Sequence, residues 1–185
     1  MTLIKEQTAS SSSTISFVDG TSDVVLDSTY PIYLFKFINI HPSQQSGDGE
    51  EFQFNLSVDT GSNYNVTKTS TFFRARHTEG GASNLIYETA NDLAQGTGFQ
   101  DLSIDNDADN DSSNSGEMWL FNPSSTVFVK HFMARLNYTH SGPGCLSPFV
   151  AGYGNTTSAV DAVQFKFSAG NIDAGTFKLY GIKDS

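Results

Sequence analysis

The chain has 185 residues, a mass of 20.0 kDa and a formal net charge of -10 from 10 basic and 20 acidic side chains, with four His and one Cys. A chain of this length buries about 70% of its surface on folding, enough for one core without metal or disulfide support, and the single Cys145 cannot form an internal bridge. Ten scattered cations on an acidic chain argue against nucleic acid as a partner, because phosphate contacts need clustered Lys and Arg.

No apolar run approaches the roughly 18 residues that span a bilayer, and no basic segment leads an apolar core at the N-terminus, so a soluble, unexported product without membrane contact is expected. Charged residues make up 16% of the chain, while Phe reaches 15 and Gly 16. Helix formers are sparse, and no long stretch repeats apolar residues at the helical spacing. An all-β chain wetted by hydroxyls and amides is predicted.

Met1 to Ser13 end in the serine run Ser10–Ser13 and read as a flexible or docking arm, leaving residues 14–185 as one β-domain. Thr14–Val18 and Asp23–Leu26 read as two short opening strands, with Asp19-Gly20 supplying hairpin turn chemistry. Ile32–Ile40 is the clearest strand, with Ile32, Leu34, Ile38 and Ile40 on one face and Tyr33, Phe35 and Phe37 on the other. Both faces are apolar apart from Lys36, which predicts a central strand covered on both sides.

His41–Glu50 reads as a loop, and Phe52, Phe54, Leu56 and Val58 then alternate with polar residues, one face meeting the core and the other water. Tyr64–Arg76 resumes β-like composition, with Arg74 and Arg76 on one face. Leu85–Tyr87 is a weaker strand signal, Ala90–Ala94 reads as one helical turn, and Asp101–Ile104 as an edge strand before the acidic loop Asp105–Ser115. Met118–Phe121, Thr126–Asn137, Pro148–Tyr153, Ala162–Ser168 and Gly175–Ile182 complete about ten short strands at sandwich-like spacing. Alternation on both sides of Ala169-Gly170-Asn171 predicts a terminal hairpin. A single-domain β-sandwich of jelly-roll type is the economical architecture.

Asp105, Asp107 and Asp109 place carboxylates at alternate positions, as a hard cation requires. An EF-hand would want Gly at Asn110 and a bidentate Glu at Gly116, so that motif is rejected. A looser Ca²⁺ site on these three residues stands against a solvated acidic loop. His41, His77, His131 and His140 share no metal-ligand spacing. His131 shares a face with Val127, Val129 and Met133 and reads as a hydrogen-bonded core residue. Arg74, Arg76 and His77 read either as a carboxylate-binding trio or as a subunit contact.

No G-x-S-x-G elbow or phosphate-binding glycine loop is present. No carboxylate sits inside an aromatic strand, where acid catalysis would want it, and Glu117 beside Trp119 is the nearest approach. An enzyme is therefore not expected. Trp119, Phe121, Tyr138 and Tyr153 read either as a sugar-stacking platform or as core and interface aromatics.

The stretches GTSDVVLDSTYPIYLFKFINIHP (residues 20–42), LFNPSSTVFVKHF (120–132), FVAGY (149–153), GNIDAG (170–175) and LYGI (179–182) resemble small virion structural proteins of marine tailed bacteriophages. The resemblance runs over most of the chain from Gly20 onward and carries no assigned catalytic or binding residue. It implies a virion location and an association function, with a capsid decoration or cement protein favoured over a tail-fibre tip or tail-associated glycan-binding module. The partners it implies are further copies of the chain, as a homotrimer, the major capsid protein or another virion protein, and, in the second case, a host surface glycan. The polar arm would order on docking to the shell.

Overall fold

Side chains that alternate between apolar and polar every second residue build a sheet with one face dry, and this pattern governs almost the whole chain. A computed structural model describes residues 1–47 and 49–183. Among the described residues there are twelve strands and no helix. In chain order they are β1 (Thr2–Ser12), β2 (Ile15–Val18), β3 (Ile32–Pro42), β4 (Glu50–Ser57), β5 (Lys68–Thr78), β6 (Ser83–Tyr87), β7 (Gln100–Asn106), β8 (Asn114–Phe121), β9 (Lys130–Thr139), β10 (Gly144–Gly154), β11 (Ala162–Phe167) and β12 (Ile172–Ile182).

Two antiparallel sheets pack face to face as a β-sandwich, one ordered β1-β12-β3-β8-β9-β10-β5-β6 and the other β2-β11-β4-β7. Phe165 lies at the centre of the core. Its ring centroid is 5.3 Å from Phe35, 5.1 Å from Phe37 and 5.7 Å from Phe177, so β11 of the small sheet grips β3 and β12 of the large one. Phe17 and Phe52 close the cluster at 6.3 and 6.0 Å. Such ring pairs add to area burial, and emptying a site of this kind costs about 3–5 kcal/mol.

Residues 2–12, expected as an arm, form an edge strand instead. β1 pairs with β12 from Thr2↔Gly181 to Ser12↔Ile172, with a bulge between Leu3 and Lys5. The pairing satisfies the backbone of β12 on that side, Ala9 is buried, and Gln7 Nε2 donates to Ser16 O at 2.8 Å. Backbone pairing thus compensates for the polar composition that suggested flexibility.

The expected opening hairpin does not form. β2 pairs with β11, and residues 23–26 belong to no strand, although Val24 and Leu26 are buried. Asp19 turns the chain by accepting the Leu26 N–H at 2.8 Å through Oδ1. The expected terminal hairpin is also absent, because β11 and β12 lie in different sheets, with Phe165 and Phe177 packed against each other between them. Residues 90–94 form turns and no helical turn.

β3 occupies an interior place in the large sheet and buries Tyr33, Phe35 and Phe37 as expected. Its parity breaks at Asn39, where φ is +53° and the register with β8 jumps from Phe37↔Gly116 to Ile40↔Asn114. This bulge turns Ile40 into the core, and on the opposite face Leu34 is buried while Ile38 is 41% exposed, so that face is covered only in part.

Candidate functional site

The outward face of the large sheet carries the most distinctive surface. Directly opposed residues of an antiparallel pair share a face. The register therefore aligns Glu6, Lys178, Lys36, Glu117, Arg135, Phe149, Phe73 and Tyr87 in one row running from β1 to β6. The row is ionic at the β1 end, where Lys178 Nζ lies 2.9 Å from Glu6, a contact that raises the lysine's pKa. At the β6 end it is aromatic, with Phe73 stacked on Phe149 at 5.3 Å.

The adjacent row joins Tyr180, Leu34, Trp119, Met133 and Ala151. Met133, Phe73, Tyr87 and Leu85 are all exposed, at 42%, 39%, 49% and 72%. Two shallow hollows share Glu117 and Arg135. One, of about 420 Å³, adds Lys36, Asn137 and Ser147, and the other, of about 160 Å³, adds Trp119, Met133 and Phe149. Glu117 faces Lys36 and Arg135 across the strands, not a second carboxylate, so the pair that glycoside hydrolysis uses is not assembled around it.

Of the four aromatics singled out as a sugar platform, Trp119, Phe121 and Tyr153 share this outer face. Tyr138 does not. It is buried, accepts the Ile104 N–H at 3.2 Å through its hydroxyl, and has its phenol pKa raised by burial. The same parity corrects His131. β9 turns Lys130, Phe132, Ala134, Leu136 and Tyr138 inward, leaving His131 exposed beside Tyr153 at 6.1 Å and outside the core. Val127 is 68% exposed in the loop before the strand, so it gives no inward parity for His131 to follow.

Arg74 and His77 face opposite ways, and the expected trio does not converge. Arg74 is buried and its Nε lies 2.6 Å from Glu88, which supplies the carboxylate from within the chain. His77 is exposed.

Asp107 and Asp109 line one hollow of about 290 Å³ with Asp111, and Asp105 is not among its lining residues. Asp105, next to last in β7, has φ at +54°, and its carboxylate lies 3.5 Å from His140 Nε2. Asp107 accepts the Asp109 N–H at 3.1 Å and the Ser112 hydroxyl at 2.7 Å, while the backbone carbonyl of Asp109 lies 3.2 Å from His41 Nε2. Among the described residues no three His, Cys, Asp or Glu side chains are grouped to hold a metal ion.

Two buried lysines were missed by the sequence reading. Lys68 and Lys130 are fully inaccessible. Lys68 Nζ donates to Asn55 Oδ1 and to Val66 O at 2.9 Å, and desolvation pulls its pKa down to about 7. Lys130 Nζ donates to Phe128 O at 2.7 Å and Thr156 O at 3.2 Å, and its pKa is lowered by the same cause. The signal was present, since Lys68 has the parity of Val66 and Phe72, and Lys130 that of Phe132.

No family model matches the chain, and no curated protein and no solved structure matches it either.

Proposed function

We propose that the chain is a structural protein of a tailed-bacteriophage particle, a capsid decoration or cement protein that acts by association. Its attachment surface is the outer face of β8, β9, β10, β5 and β6. The observation that carries the reading is the exposed row Arg135, Phe149, Phe73 and Tyr87 with Met133 and Leu85 beside it. An apolar patch rimmed by charge is the anatomy of a protein interface. The resemblance of residues 20–42 and 120–132 to marine phage virion proteins supports the particle, and association without catalysis fits the uncoupled Glu117. A homotrimer at local three-fold positions, seated on the major capsid protein, is the assembly this reading favours.

The strand order supports a jelly-roll form of the sandwich. β1, β2, β3 and β4 pair in turn with β12, β11, β8 and β7, as in one long antiparallel ribbon rolled on itself, and β5–β6 and β9–β10 widen the larger sheet.

A second reading, a tail-associated module that binds a host glycan, is favoured by Trp119 beside the polar hollow of Lys36, Glu117, Arg135 and Asn137. The copy number of the chain per purified virion, by quantitative mass spectrometry, separates the two. Hundreds of copies are expected for decoration of the shell. A handful, in multiples of three or six, would move the protein to the tail.

A further inference from the structure

Asn55 lies on β4 of the small sheet and Lys68 begins β5 of the large sheet, so a contact between their side chains joins the two sheets. Both residues are fully buried, and Lys68 Nζ donates directly to Asn55 Oδ1. The amide is held on every side. Its Nδ2 donates to Tyr64 O at 2.6 Å and Thr97 O at 3.1 Å, and its Oδ1 also accepts the Leu56 N–H at 2.9 Å.

We propose that Lys68 and Asn55 join through an intramolecular amide bond that staples the two sheets together. The Lys68 amine, once unprotonated, adds through Nζ to Cγ of Asn55. The negative charge that develops on Oδ1 is met by the Leu56 N–H, an oxyanion-stabilising donor already in place. Collapse breaks the Cγ–Nδ2 bond, the proton released by Nζ goes to Nδ2, and ammonia leaves. The balance is one N–C bond formed, one broken and one ammonia lost, with no oxidant or other reactant.

Three features favour the reaction at this pair. Desolvation without a carboxylate partner holds the Lys68 pKa near 7, so a substantial fraction of the amine is a free nucleophile at neutral pH. Fixed contacts to both amide atoms hold Asn55 in place, and the direct Lys68 Nζ to Asn55 Oδ1 hydrogen bond keeps the amine beside it, which replaces a bimolecular encounter by an intramolecular one. Lys130, buried in the same way, contacts only backbone carbonyls and has no side-chain amide to attack.

The decisive measurement is the intact mass of the purified full-length chain under denaturing conditions, after incubation at mildly alkaline pH. The expected mass lies about 17 Da below that of the sequence, the loss of one ammonia in acyl transfer to an amine nucleophile. Proteolysis followed by fragmentation should place the loss on a branched peptide linking Asn55 to Lys68. Lys68→Met should restore the full mass. A wild-type chain at the sequence mass, or a loss mapped to any other site, overturns the proposal without touching the particle assignment, which the copy number tests.

Discussion

Lys68 and Lys130 stand on either side of Gly154, each directly opposite it in a neighbouring strand, with both side chains turned into the sandwich. Gly154 leaves room for Leu56 and Val66, since a Cβ there would come within 3.1 Å of Leu56 Cδ1 and 3.2 Å of Val66 Cγ1. Neither side-chain nitrogen has a carboxylate among its hydrogen-bond partners, which are carbonyl and amide oxygens alone.

This arrangement gives stability a pH dependence of definite sign. The folded pKa of Lys130 lies below its ordinary 10.5, so between those two values the unfolded chain binds more protons than the folded one. The contribution of Lys130 to folding stability should therefore rise as the pH is raised toward 10.5. Lys130→Met should flatten that rise in urea denaturation followed across pH. Lys68, once acylated, contributes nothing to it. An unchanged slope in Lys130→Met would place the lysine's ammonium in water.

Removal of residues 1–13 tests the edge strand. The deletion strips β1 from β12, uncovers the core around Ala9 and Ile4, and removes the Glu6–Lys178 contact. It also leaves the backbone of β12 as a new open edge, which invites pairing with other chains. A loss on the order of 1–3 kcal/mol and a shift toward larger species in size-exclusion chromatography are expected. A melting temperature equal to that of the full chain would mean the segment is an arm after all.

Charge placed on the outer face should separate attachment from folding. Phe73→Glu and Met133→Glu alter side chains that are 39% and 42% exposed, so each monomer should melt within a few degrees of wild type. Incorporation into particles should fall at least about tenfold, since desolvating one unpaired carboxylate in an interface costs more than 1.4 kcal/mol. Normal incorporation of both variants would move the docking surface elsewhere.

Calcium should leave the fold indifferent. Asp105 is paired with His140 and Asp107 accepts two turn donors, and among the described residues no three His, Cys, Asp or Glu side chains are grouped to hold a metal ion. A ligand bound only by the folded state raises the melting midpoint. The expected result with millimolar Ca²⁺ is no shift, and a rise that is absent in Asp107→Asn would restore the loop as a cation site.

The sequence by itself determined the all-β class, the sandwich, most strand positions and the inward residues of β4, because period-two alternation is a local property written in consecutive side chains. The same parity held Lys68 and Lys130 inward, legible at Phe72 and Phe132, but a lysine in that register ran against its usual preference for solvent. Only the tertiary structure decided that the polar residues 2–12 pair as an edge, that β11 and β12 part to opposite sheets, and that Asn39 reverses the face of Ile40. It alone brought Asn55 against Lys68 and set Phe149 beside Phe73. Pairing partners are chosen by backbone hydrogen bonding and core packing among segments far apart in the chain, and no local pattern records which segment will be the neighbour.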